Sequence, residues 1–79
     1  MTNLEKYKKI FAKTLEINED QLTGLTYQSV PAWDSVGHMM LISSLENAFD
    51  TIFDTADIID FNSFERGIEI LKKYGVQIA

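Results

Sequence analysis

The sequence predicts an all-α fold: a four-helix bundle with a short third helix and a long first loop. Three observations predict it. Apolar residues recur at intervals of three and four in separate runs, as on one face of a helix. Those runs begin at residues whose side chains cap helix ends. The first and second runs are separated by a stretch that has no long period and is punctuated by Gly24 and Pro31. The 79 residues make one domain, residues 1–79, near the small end of what folds without help.

In the first run, Thr2 followed three positions later by Glu5 has the form of a capping box. Leu4, Tyr7, Ile10, Phe11 and Leu15 then trace one stripe, giving helix one at about residues 3–15. Lys6, Lys8, Lys9 and Lys13 fall largely off that stripe and read as a solvated face. Residues 16–34 form the long connection. Asn18 with Gln21 can cap a single turn that delivers Leu22 to the core. A structureless connection of this length would count against the assignment, so Leu25, Tyr27, Val30 and Trp33 are expected to pin it across the helices.

Helix two is expected from Ser35 to about Phe49, with His38, Leu41, Ile42, Leu45 and Phe49 at helical spacing. Residues 50–54 read as a turn. Residues 55–60 are too few for a helix that stands alone. Thr55 or Asp54 could cap it, and Ile58, Ile59 and Phe61 could hold it by packing. Ser63 then caps a last stripe of Phe64, Ile68 and Leu71, where Lys72 and Lys73 suit the C-terminal dipole and Gly75 is a natural stop. The core predicted from these stripes is Tyr7, Phe11, Leu15, Leu41, Ile42, Leu45, Phe49, Phe64, Ile68 and Leu71.

Composition narrows the function. Apolar residues make up 46%, enough for a thin core, and there is no cysteine, so disulfides give no support and any thiol chemistry must come from a cofactor. The net charge of -5, from 12 acidic and 7 basic residues, opposes binding to nucleic acid or anionic lipid and favours partners with basic patches. The first residues lack a cationic segment followed by an apolar one, and no run of about 18 apolar residues occurs. The expectation is a cytoplasmic protein without membrane insertion. No repeat, linker or low-complexity tract is found.

The residues that carry chemistry cluster at the start of helix two. Ser35 falls where the first backbone N–H groups lack helical partners and the dipole is positive, so an anion such as a phosphodiester attached there is well placed. By position alone Ser35 reads as a plain N-cap, and Asp34 could cap equally well. A Ser35–His38–Asp34 hydrolase is disfavoured. Three residues near one helix start cannot easily form the geometry of base, nucleophile and orienting group, and no second segment offers an oxyanion hole.

The surrounding pattern turns the reading toward modification. Trp33-Asp34-Ser35-Val36, then Leu41-Ile42, Leu45-Glu46 and Phe49-Asp50, resemble the attachment helix of an acyl carrier protein. The resemblance runs back through Tyr7, Ile10, Phe11, Leu15 and Leu22, and forward through Asp57-Ile58 and Ser63 to Leu71. It implies a bundle of acyl-carrier type, in which a phosphopantetheinyl transferase moves 4'-phosphopantetheine from coenzyme A onto Ser35. Asp34 would help to hold the metal or orient the hydroxyl within the transferase complex. The arm would carry acyl intermediates as thioesters, in fatty acid or polyketide biosynthesis, to an acyl ligase, ketosynthase or acyltransferase. The protein itself would be a monomer, with no catalytic residue and no resident metal.

The chain departs from the family pattern in two places. Val36 stands where leucine is usual. No acidic residue lies between Val36 and Leu45, the negative charge falling instead at Glu46, Asp50, Asp54, Asp57 and Asp60. Val36, His38 and Met40 therefore suggest a more apolar partner face and a dedicated pathway, with Met40 exposed and His38 packed and half solvated near the arm's root. Gly37 is expected to leave room beside Ser35, and Glu46 and Asp57 to present charge to partners. A peptidyl carrier shares the cofactor and differs in cargo. An unmodified helical adaptor is the alternative from another class.

Overall fold

In the computed structural model, which describes residues 1–78, the chain forms α1 (Asn3–Leu15), a single 3-10 turn (Glu19–Gln21), α2 (Ser35–Phe49), α3 (Thr55–Asp60) and α4 (Phe64–Lys73). Each helix starts where its sequence signal placed it. Thr2 Oγ1 accepts from the Glu5 N–H at 3.1 Å while Glu5 Oε1 accepts from the Thr2 N–H at 3.0 Å, a reciprocal cap. Ser63 Oγ accepts from the Arg66 N–H at 2.9 Å and opens α4. Glu16 and Asp50, with φ of 57° and 50°, close α1 and α2 in the left-handed conformation.

The core is a column of aromatic rings with Phe11 at its centre. Tyr7, Trp33, Phe61 and Phe64 all lie 4.9 to 6.1 Å from it between ring centroids, within the range where tilted and edge-on pairs attract. Leu15, Leu41, Ile42, Leu45 and Leu71 complete the wall and are buried as the stripes predicted. Tyr7 donates its hydroxyl proton to the Phe64 carbonyl at 2.6 Å, and burial pushes the phenol far above its usual range.

The register of α4 differs from the sequence expectation. Its buried face is Phe64, Gly67, Ile70 and Leu71, whereas Ile68 is half-buried. Gly67 causes this. A Cβ there would overlap the Tyr7 hydroxyl and the Phe61 ring, so the helix approaches the core along its bare side. Ile70 comes in beside it. Phe49, also expected in the core, is half-buried with the Lys6 ammonium 5.0 Å from its ring centroid. Phe53 and Ile78 are core residues that no stripe announced.

The long first loop is anchored at several points. Leu22, Leu25 and Trp33 are buried. Its backbone pairs with the α3–α4 connection: the Tyr27 N–H donates to the Asn62 carbonyl at 2.8 Å and the Phe64 N–H to the Leu25 carbonyl at 2.9 Å. The Gly24 N–H adds a bond to Glu65 Oε2 at 3.1 Å. The loop thus satisfies its backbone against the far end of the chain, which is how it remains ordered.

α3 is held in part as expected, with Phe61 buried and Ile58 packed against the core. Ile59, proposed to pack it down, is 76% exposed, and although Asp54 stands at the cap position no side chain caps the helix. Polar bonds add to that packing. Tyr74 donates to Asp57 at 2.6 Å and accepts from the Asp54 N–H at 2.9 Å, Lys73 pairs with Asp57 at 2.7 Å, and Arg66 pairs with Asp60. Among the described residues no helix is long and apolar enough to cross a membrane.

Candidate functional site

Asp34, not Ser35, caps α2. Asp34 Oδ1 accepts from the Gly37 N–H at 2.8 Å, satisfying a donor the helix cannot, and the Asp34 carbonyl accepts the first helical bond from the His38 N–H at 2.8 Å. Ser35 becomes the first residue of the helix, exposed, with its hydroxyl released from helix duty. The contact recorded for that hydroxyl is the phenol of Tyr27, 3.3 Å away. The division of labour between the two residues follows from spacing: the capping oxygen has to reach the N–H three residues on, which Asp34 does.

Gly37 serves a purpose other than the expected one. It is buried, and a Cβ on it would overlap the Ala32 carbonyl oxygen. The missing side chain makes room for the loop backbone to cross α2, not for a partner beside Ser35. That close crossing sets the direction from which residues 32–34 enter the helix.

His38 is half-buried as expected, and its bonding explains why. The Trp33 indole N–H, which can only donate, gives its hydrogen to Nδ1 at 3.0 Å, so Nδ1 carries the lone pair. The proton of the neutral ring is then on Nε2, which donates to the Ile58 carbonyl at 2.8 Å. Both nitrogens are occupied, and neither is free to take a proton from Ser35. The ring joins the loop, α2 and α3, a role with no signature in the sequence.

Beside Ser35 the structure contains an apolar groove of about 340 Å³ between α2 and α3. Tyr27, His38, Met39, Ile58 and Phe61 line it, and exposed Ser35 stands at its opening. On the other side of Ser35, Val36 is 69% and Met40 56% exposed, as their positions implied, and Met39 is also exposed. Met39 is shared between the groove and this outer face, which helical periodicity alone did not single out.

Two residues expected to face partners are committed within the chain. Glu46 is half-buried and its Oε2 accepts from the Phe53 N–H at 2.8 Å, seating the segment after α2. Asp57 is buried, and its bonds to Lys73 and then to Tyr74 hold its carboxyl below the usual carboxylate range. The same bonds push Lys73 and Tyr74 upward. The charges of Glu46 and Asp57 were legible in the sequence, but their consumption by the fold was not.

Among the described residues no group of three or more His, Cys, Asp or Glu side chains is placed to hold a metal ion. No family profile and no curated protein matches the chain.

Proposed function

We propose that the protein is an acyl carrier, modified by 4'-phosphopantetheine at Ser35 and presenting thioester-bound intermediates to partner enzymes. The observation that carries this reading is the exposed Ser35 hydroxyl at the start of α2, not used in capping because Asp34 does that, beside an apolar groove. A serine serving only the helix would have its oxygen bonded to the N–H three residues on, and here that bond belongs to Asp34. The surroundings fit the group: an open acceptor hydroxyl, a positively polarised helix end and an apolar space for cargo.

In the transfer, Ser35 Oγ forms a bond to the phosphorus of coenzyme A's pantetheine-linked phosphate. The bond from that phosphorus to the adenosine bisphosphate portion breaks, and the serine proton passes to a base of the transferase or to water. Asp34 keeps the hydroxyl at the helix mouth. One of its oxygens is committed to Gly37, and the other would be the one to reach a metal ion bound in the transferase complex. The arm supplies the thiol that this cysteine-free chain lacks.

The chain's own residues then position and select. Leu41, Ile42 and Leu45 lock α2 to the core, so the attachment point is rigid, and tethering raises the local concentration of cargo at a docked enzyme. Val36, Met39 and Met40 give the enzyme an uncharged face to cover. The apolar groove favours an acyl over an aminoacyl cargo.

The test is incubation with coenzyme A, magnesium and a broad-specificity phosphopantetheinyl transferase, followed by intact mass measurement. One phosphopantetheine increment on the wild type and none on Ser35→Ala is expected. No increment on the wild type would favour an unmodified adaptor acting through Val36, Met39 and Met40. Offering the modified protein to a fatty-acyl ligase and to an amino-acid adenylating enzyme separates acyl from peptidyl carrier.

A further inference from the structure

Tyr27 is placed with more care than a loop residue needs. Its backbone N–H is tied to the Asn62 carbonyl at 2.8 Å. Its ring meets Trp33 edge-on at 6.1 Å and His38 at 5.4 Å between centroids, and both of those rings are themselves joined by a hydrogen bond. The ring forms part of the groove wall. The outcome of these constraints is a phenol oxygen 3.3 Å from Ser35 Oγ.

In the unmodified chain either oxygen can donate in that pair. Once Ser35 is esterified, Oγ carries no hydrogen, and the direction is forced: the phenol donates and the diester accepts. The unesterified phosphate oxygens lie two bonds from Oγ, within reach of the same hydroxyl, and a charged acceptor makes a shorter and stronger bond than a neutral one. Resting on the carrier reading, we infer that Tyr27 is a positioning residue whose hydroxyl donates to the phosphodiester on Ser35 and holds the root of the arm at the opening of the α2–α3 groove. Trp33 and His38 act through Tyr27 by fixing its ring. Tyr27→Phe keeps the ring and its edge-on contacts and removes the donor alone.

The experiment is phosphorus NMR of the phosphopantetheinylated wild type and Tyr27→Phe, with intact mass confirming modification of each. The expected result is a phosphodiester resonance displaced between the two by more than its linewidth. Coincident resonances on fully modified proteins would overturn the role of Tyr27 and leave the carrier reading standing. Absence of the mass increment from the wild type would overturn both. A second measurement needs no substitution: the carbon bearing the Tyr27 hydroxyl, followed by carbon NMR in the unmodified and modified wild type, shifts if the phenol takes a charged acceptor. An unchanged shift there is a refutation even if Tyr27→Phe fails to fold.

Discussion

The packing of α2 on α1 and the seating of α3 against α2 and α4 rest on different kinds of interaction. Toward α1 the contacts are apolar and dry: Leu41, Ile42 and Leu45 close on Tyr7, Phe11 and Leu15, all fully or nearly fully buried. α3 is held largely by polar bonds beside the packing of Ile58 and Phe61: His38 of α2 donates to the Ile58 carbonyl, while from the α4 side Tyr74 and Lys73 bond Asp57 and Arg66 pairs with Asp60, and Ile59 is exposed. Apolar burial is insensitive to pH and scales with area. Polar clamps respond to protonation and open at lower cost. Ser35 lies on the boundary, rooted in the rigid side and opening onto the adjustable one.

The largest expected effect breaks the rigid side. Phe11→Ala removes the ring that touches four other aromatic residues and is expected to cost about 3–5 kcal/mol, measured by denaturant unfolding. In so small a domain that is a large part of the total stability. A cost under about 1 kcal/mol would mean that the aromatic column is not the source of rigidity.

Next, Gly37→Ala tests the crossing of the loop over α2. The new methyl overlaps the Ala32 carbonyl, and forced packing of this kind costs about 1–3 kcal/mol. The damage should centre on residues 32–34 in amide shift maps, and modification of Ser35 should slow with it. Shift changes confined to α4 would contradict the close crossing.

Acid sharpens the comparison from the other side. Asp57 has its carboxyl held low by Lys73 and Tyr74, so its contribution is present above the usual carboxylate range and lost as pH falls through its own lowered value. Amide protection in α3 should therefore persist at pH 5 and above and fall below about pH 4, while protection in α1 survives. Asp57→Asn should lower α3 protection at neutral pH and flatten that dependence. Simultaneous loss in α1 and α3 would show that the two sides are one cooperative unit. The smallest effect is reserved for Arg66→Ala, whose partners Asp60 and Glu69 are both exposed. No resolvable change in melting midpoint is expected there.

What the sequence displayed well was everything written over three or four residues. Thr2 with Glu5, Ser63 before its stripe, and the apolar period of α1 and α2 gave the helix limits as the structure has them. The place of Ser35 at the start of α2 was legible for the same reason, since a cap, a serine and an amphipathic run occupy adjacent positions. Contacts between distant segments carried no such signal. Gly37 serves the Ala32 carbonyl, Gly67 serves Tyr7 and Phe61, and His38 bridges Trp33 and Ile58. Each depends on where two separate elements cross. Glu46 and Asp57 looked like surface charge because nothing local reveals that Phe53, Lys73 and Tyr74 consume them.

The most direct trial of the account is to locate the modification by fragmentation after treatment with coenzyme A and the transferase. The protein has other serines at Ser29, Ser43 and Ser44, and Ser43 and Ser44 lie on α2 itself. A single phosphopantetheine on Ser35, with the other three unmodified, is the predicted result. An increment on any of those serines, or none at all, would contradict it.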